Sequence, residues 1–151
     1  MKTVLVTSSK SPHANTRRIA TALGEVLDAR VVSPEDATPD VLMEADRVGF
    51  GSGVYWMSYD KRLAECIRSL PDMSGRDAFT FGTSGLPETP FRRYTRRLAS
   101  VLEHQGFRVV GSFNCRGLDT WGPFKLLGGV SKGHPDDNDI AAARTFAAAL
   151  G

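Results

Sequence analysis

The stretch Lys2-Thr3-Val4-Leu5-Val6-Thr7-Ser8-Ser9-Lys10-Ser11-Pro12-His13-Ala14-Asn15-Thr16-Arg17-Arg18-Ile19-Ala20-Thr21-Ala22-Leu23-Gly24-Glu25-Val26-Leu27 decides the fold. Its apolar spacing predicts a short strand over residues 3–6, a polar loop over 7–14 and an amphipathic helix over 15–27. Ile19, Leu23, Val26 and Leu27 should form the helix's inward face. A hydroxyl-rich loop that delivers a helix N-terminus suits an anion. The first helical N–H groups lack internal partners, and the helix dipole places partial positive charge there. Arg17 and Arg18 stand in that first turn, where acidic residues are the rule. A solvated pair of arginines explains them; so does a bound phosphate, and the loop and helix together favour the phosphate.

Outward from this unit, strand and helix patterns alternate. A strand is expected over 30–32, a helical turn around Val41, Leu42 and Met43 after Pro39, and a buried strand over 47–51. A helix over 59–70 stops at Pro71, a strand follows over 78–82, and a helix over 91–105 closes at Gly106. The last strand is expected over 107–113 and the last helix over 137–150. Asp136, Asp137 and Asp139 supply the negative charge that a helix start favours. Short apolar strands separated by helices imply parallel pairing with helices on both faces. With right-handed crossovers, a five-stranded parallel sheet of order 2-1-3-4-5 fits best.

The 151 residues fit a single domain, 1–151. A net charge of +2 gives no argument for nucleic acid. No apolar run is long enough to span a bilayer and no secretory signal pattern opens the chain, so a cytoplasmic protein without membrane association is expected. Cys66 and Cys115 lack metal-ligand spacing and read as reduced thiols. No metal site is expected.

In sheets of this order, ligands bind at the carboxyl ends of the strands beside the switch point. Three loops leave those ends. The first, residues 7–16, suits phosphate. The second, residues 52–58, carries Tyr55 and Trp56, which either stack on a flat ring system or pack beneath a neighbouring helix. The third, residues 83–90, is small and polar, and can set backbone groups against a ligand edge. A ligand with a phosphate at one end and a planar heteroaromatic at the other matches all three, and flavin mononucleotide (FMN) is the candidate.

The chain resembles the flavodoxin family. That family's phosphate loop reads approximately Ser/Thr-x-Thr-Gly-x-Thr after the first strand. Its end corresponds here to His13-Ala14-Asn15-Thr16, with Ala14 where glycine is usual. The stretch Cys115-Arg116-Gly117-Leu118-Asp119-Thr120-Trp121-Gly122-Pro123-Phe124-Lys125, with Gly128-Gly129 and Lys132-Gly133-His134-Pro135, resembles a group of small single-domain flavodoxin-like proteins. The similarity covers nearly the whole chain. It implies a flavodoxin-like three-layer sandwich that binds FMN non-covalently and transfers electrons.

By this resemblance Ser9, Ser11, Asn15 and Thr16 hold the phosphate, in a loop that also contains Lys10, His13 and Ala14. Tyr55 or Trp56 covers one flavin face. Gly53, Val54, Tyr55 and Trp56 bring backbone near the flavin N5. Thr83, Ser84, Gly85 and Leu86 line the pyrimidine edge. The partners implied are redox proteins or small-molecule electron acceptors, with the chain as monomer or homodimer. Electron-carrier flavodoxins are usually strongly acidic; this chain is slightly basic.

The residues show neither an acid–base pair nor an activated nucleophile, so no catalytic residue is assigned. An FMN-dependent NAD(P)H:quinone-type reductase is one alternative. A flavin-free interaction or regulatory domain of the same fold is another. Other families of this architecture lack their signatures. Ser8-Ser9 and Gly51-Ser52 stand where a response-regulator receiver needs acids. The first loop has neither the Cys of a low-molecular-weight tyrosine phosphatase nor Gly-x-Gly-x-x-Gly. Arg92, Arg93, Arg96 and Arg97 recur at helical spacing, either as a solvated face or as a docking site for an acidic partner or a phosphate-bearing cofactor. Asp119, Trp121 and Phe124 in the long stretch 116–135 either pin that loop or cover the flavin.

Overall fold

A computed structural model of the chain describes residues 1–8, 15–55, 58–59, 61–83, 88–115 and 137–150. In chain order the elements are β1 (Thr3–Ser8), α1 (Asn15–Leu27), β2 (Arg30–Val32), α2 (Pro39–Met43), β3 (Arg47–Tyr55), β4 (Ser58–Tyr59), α3 (Lys61–Arg68), β5 (Asp77–Thr83), α4 (Glu88–His104), β6 (Arg108–Cys115) and α5 (Asp137–Leu150). The parallel strands run in the order β2-β1-β3-β5-β6, and β4 joins only β3. The five parallel strands thus take the expected order 2-1-3-4-5.

Strand alternation divides the core in two. Val4, Val6, Val48, Phe50 and Ala78 meet Leu42 of α2, Leu63 and Ile67 of α3, and Leu98 and Leu102 of α4. On the other face Leu5, Phe79 and Phe81 meet Ile19, Ala20 and Leu23 of α1 and Ala143 and Ala147 of α5. The helices on this second face need room, and β3 supplies it with glycine. Gly49 and Gly51 leave their β-carbon space to the Phe79 and Phe81 rings.

Local chemistry sets the ends. Thr38 caps α2, its hydroxyl accepting from Val41 N–H at 3.5 Å, with Pro39 in the first turn. Gly106, at φ 100°, turns the chain from α4 into β6 close against Asp72 and Ser74. One residue of β6, Val110, is an insertion against β5: Ala78 pairs with Val109 and Phe79 with Gly111. At the amino ends of the strands Arg47 is buried. Its Nε donates to Thr3 Oγ1 at 3.2 Å and an Nη to the Leu150 carbonyl at 3.0 Å.

Three expectations change. Val26 was expected to face the core but is 41% exposed in the last turn of α1, where Leu23 and Leu27 carry the packing instead. β3 runs four residues past residue 51 because β4 gives its far end a partner, so Tyr59 belongs to a strand rather than to α3. α4 begins three residues early, at Glu88. Among the described residues, no helix is long and apolar enough to cross a membrane.

Candidate functional site

The carboxyl ends of the strands bring the expected segments together. β1 ends at Ser8, beside Ser52 of β3; Ser52 lies beside Gly82 of β5, and Gly82 beside Asn114 of β6. One step further on, Gly53 is the register partner of Thr83, and Thr83 of Cys115. Gly53 and Thr83, expected on separate loops, therefore sit on adjacent strands about 5 Å apart. The N-termini of α1 and α4 open at this same end, because each follows a strand that terminates there.

Six of the expected site residues have a definite place. Asn15 opens α1 and Thr16 is fully buried in its first turn. Gly53, Val54 and Tyr55 continue β3 as a strand rather than forming a loop, with Val54 opposite Tyr59 and Tyr55 opposite Ser58 in an antiparallel pair. Thr83 ends β5. Ser9, Lys10, Ser11, His13, Ala14, Trp56, Ser84, Gly85 and Leu86 lie outside the described residues, as does the 116–135 stretch.

Two residues join the candidates. Thr7 was read as the first loop residue but extends β1, and alternation turns it to the α1 side of the sheet. Its hydroxyl is buried and has no hydrogen-bond partner among the described residues. A buried hydroxyl left unpaired costs about 1–3 kcal/mol, so an acceptor or donor supplied from outside would recover that loss. Ser52, fully buried, is the last residue of β3 paired with both β1 and β5. The sequence held the signal for Thr7, a hydroxyl at the end of an apolar run, but strand and loop readings were equally open there.

The electrostatics agree with an anion at the α1 end. The first turn of α1 has no acidic residue, and Arg17 and Arg18 are exposed. Each cation there opposes the helix dipole by about 0.3–1 kcal/mol, and a bound anion reverses the sign. Among the described residues no cluster of His, Cys, Asp and Glu could hold a metal ion.

Cys66 is a half-buried free thiol whose Sγ lies 3.7 Å from the Ala37 carbonyl. Burial, and then the nearby Glu35 charge, push its pKa up. It packs α3 against the connection between β2 and α2.

No protein-family model matches the chain. A curated relative, the uncharacterized protein MJ0298 of Methanocaldococcus jannaschii, is 33% identical over 138 residues, 91% of each chain. Among solved structures, flavodoxin 1 of Bacillus cereus superposes with a TM-score of 0.71 at 17% identity, covering 98% of this chain and 95% of that one. An apo NADH:FMN oxidoreductase, EMOB, gives a TM-score of 0.66 at 23% identity over 96% of this chain and 89% of its own. The fold is that of the flavodoxins, and the chain belongs to one flavodoxin-like family with MJ0298.

Proposed function

We propose that this protein binds FMN non-covalently at the carboxyl ends of its strands and passes electrons between redox partners. The observation that carries the reading is the buried Thr7 hydroxyl, without a partner among the described residues, beside an α1 N-terminus with no acid in its first turn. A dianionic phosphate fits both features, since it accepts from hydroxyls and from helix N–H groups. Thr7, Asn15 and Thr16, with Ser9 and Ser11 of the intervening loop, would hold the phosphate. The ends of β3 and β5, from Gly53 to Tyr55 and at Thr83, would flank the ring system with backbone.

The flavin, when bound, supplies the redox chemistry; the chain supplies binding, orientation and electrostatics. A reductase that takes hydride from NAD(P)H is the second reading, supported by the likeness to an NADH:FMN oxidoreductase. The test is the visible spectrum of the purified protein before and after addition of FMN. Bands near about 375 and 450 nm that survive gel filtration are expected for the bound flavin. Colourless protein that retains no added FMN would overturn the reading. Steady NADH or NADPH oxidation by the flavin-loaded protein alone would replace the carrier with the reductase.

A further inference from the structure

The middle turns of α4 carry a block of one charge, ahead of Glu103. Leu98 and Leu102 are buried against the sheet, while Arg96, Arg97, Ser100 and Glu103 are exposed. At 3.6 residues per turn, positions 92 and 93, both arginine, stand one turn earlier on the face that carries 96 and 97. The bland reading is a solvated helix face. Such faces normally interleave opposite charges, because like charges four residues apart repel. Here positions 92 and 96 repeat one sign, as do 93 and 97.

Among the described residues, Lys2 pairs with Glu44 at 3.2 Å, Arg62 with Glu35 at 2.9 Å, Arg108 with Asp77 at 2.8 Å and Arg144 with Glu25 at 2.7 Å. Among the described residues, Arg96 and Arg97 have no carboxylate partner, and neither have the exposed Arg17, Arg18, Arg30, Lys61 and Arg68; what sets α4 apart is the recurrence of one sign at helical spacing. The helix begins where β5 ends and lies beside β4, the short strand paired with Val54 and Tyr55. Arg96 and Arg97 lie about 12–13 Å along the helix from that start.

We propose that this arginine face is the docking surface for an acidic partner protein, which it would bring against the strand ends. That the partner exchanges electrons there rests on the flavin reading; the docking itself does not. Opposite charge on the partner would turn the repulsion within α4 into attraction and speed encounter at low salt.

The test uses the full chain and a fluorescein-labelled decaglutamate peptide, followed by fluorescence anisotropy with and without FMN. Binding is expected at about 20 mM salt and should weaken steeply towards about 200 mM. Arg96→Glu and Arg97→Glu should each weaken it about tenfold, against less than about twofold for Arg30→Glu, which makes the same change in charge on β2. Arg96→Gln, milder for folding, should give an intermediate loss.

Equal losses at positions 30, 96 and 97, or no peptide binding at low salt, would overturn the proposal. So would tighter Arg96-dependent binding of NADPH or of phosphatidylserine vesicles than of the peptide. Peptide binding that needs Arg96 in a protein that takes up no FMN would keep the docking surface and discard the flavin. Flavin uptake without Arg96-dependent peptide binding would do the reverse.

Discussion

The Phe81 ring fills the space that a β-carbon on Gly51 would need, and Phe79 does the same at Gly49. Two aromatic rings from β5 thus lie flat over the bare backbone of β3, and the α1–α5 layer closes on top of them. Gly51→Ala should cost about 1–3 kcal/mol, since a fully buried ring must shift and not merely the end of a flexible chain. Urea unfolding measures it, and a midpoint equal to that of the parent would show that the layer gives more easily than the packing implies.

Arg47 ties three parts of the chain at the end opposite the candidate site. It starts β3, holds Thr3 at the start of β1 and holds the carbonyl of Leu150 at the end of α5. Arg47→Met keeps the apolar stem but leaves two partners without a donor, at about 1–3 kcal/mol each when buried. A loss of about 2–4 kcal/mol is expected. Amide exchange should rise first in the last turn of α5; exchange that rises evenly across the molecule would reject the tie.

Thr7→Val separates fold from function. Removing a buried hydroxyl that lacks a partner among the described residues should leave the stability of the flavin-free protein unchanged or raise it by up to about 1 kcal/mol. On the proposed flavin site, the same change would remove one hydrogen bond to the phosphate and should weaken FMN about tenfold, as flavin fluorescence titration would read. Equal affinity in parent and variant would place the phosphate elsewhere.

The Cys66 thiol should react slowly. Its pKa is raised, first by burial and then by the Glu35 charge, so the thiolate is scarcer than in an exposed cysteine. Folding therefore favours the protonated form. The stability this contributes is present below the ordinary thiol pKa and declines as pH rises through the raised one. Alkylation by iodoacetamide at pH 8 should lag behind that of the urea-unfolded chain, and unfolding midpoints should fall between about pH 8 and pH 10. Cys66→Ser should flatten that decline; a midpoint that falls as steeply without the thiol would assign the effect to other groups.

Where residues announce themselves locally, sequence and structure agree. α1, β2 and α5 have the expected bounds, because each boundary is marked by a cap-forming, turn-forming or acidic residue that acts within one turn of chain. The strand order followed from alternation and handedness alone. The far half of β3 was not legible. Ser52-Gly53 carries the composition of a loop, and the segment becomes a strand because Val54 and Tyr55 find Tyr59 and Ser58 across a short connection. Val26 misled for a similar reason: its position on the helix is apolar, but whether anything covers it depends on the tertiary packing, which Leu23 and Leu27 take up instead. At the site, Gly53 and Thr83 were named from separate segments, and only the register shows that they are neighbours.

The overshoot of β3 divides one strand between two duties. Its first five residues are wedged among β1, β5 and both helical layers, and tolerate little change. Its last two residues, Val54 and Tyr55, pair instead with a two-residue ribbon. Lengthening, shortening or rewriting that ribbon would therefore reshape the rim of the candidate site with the foundation beneath it left standing.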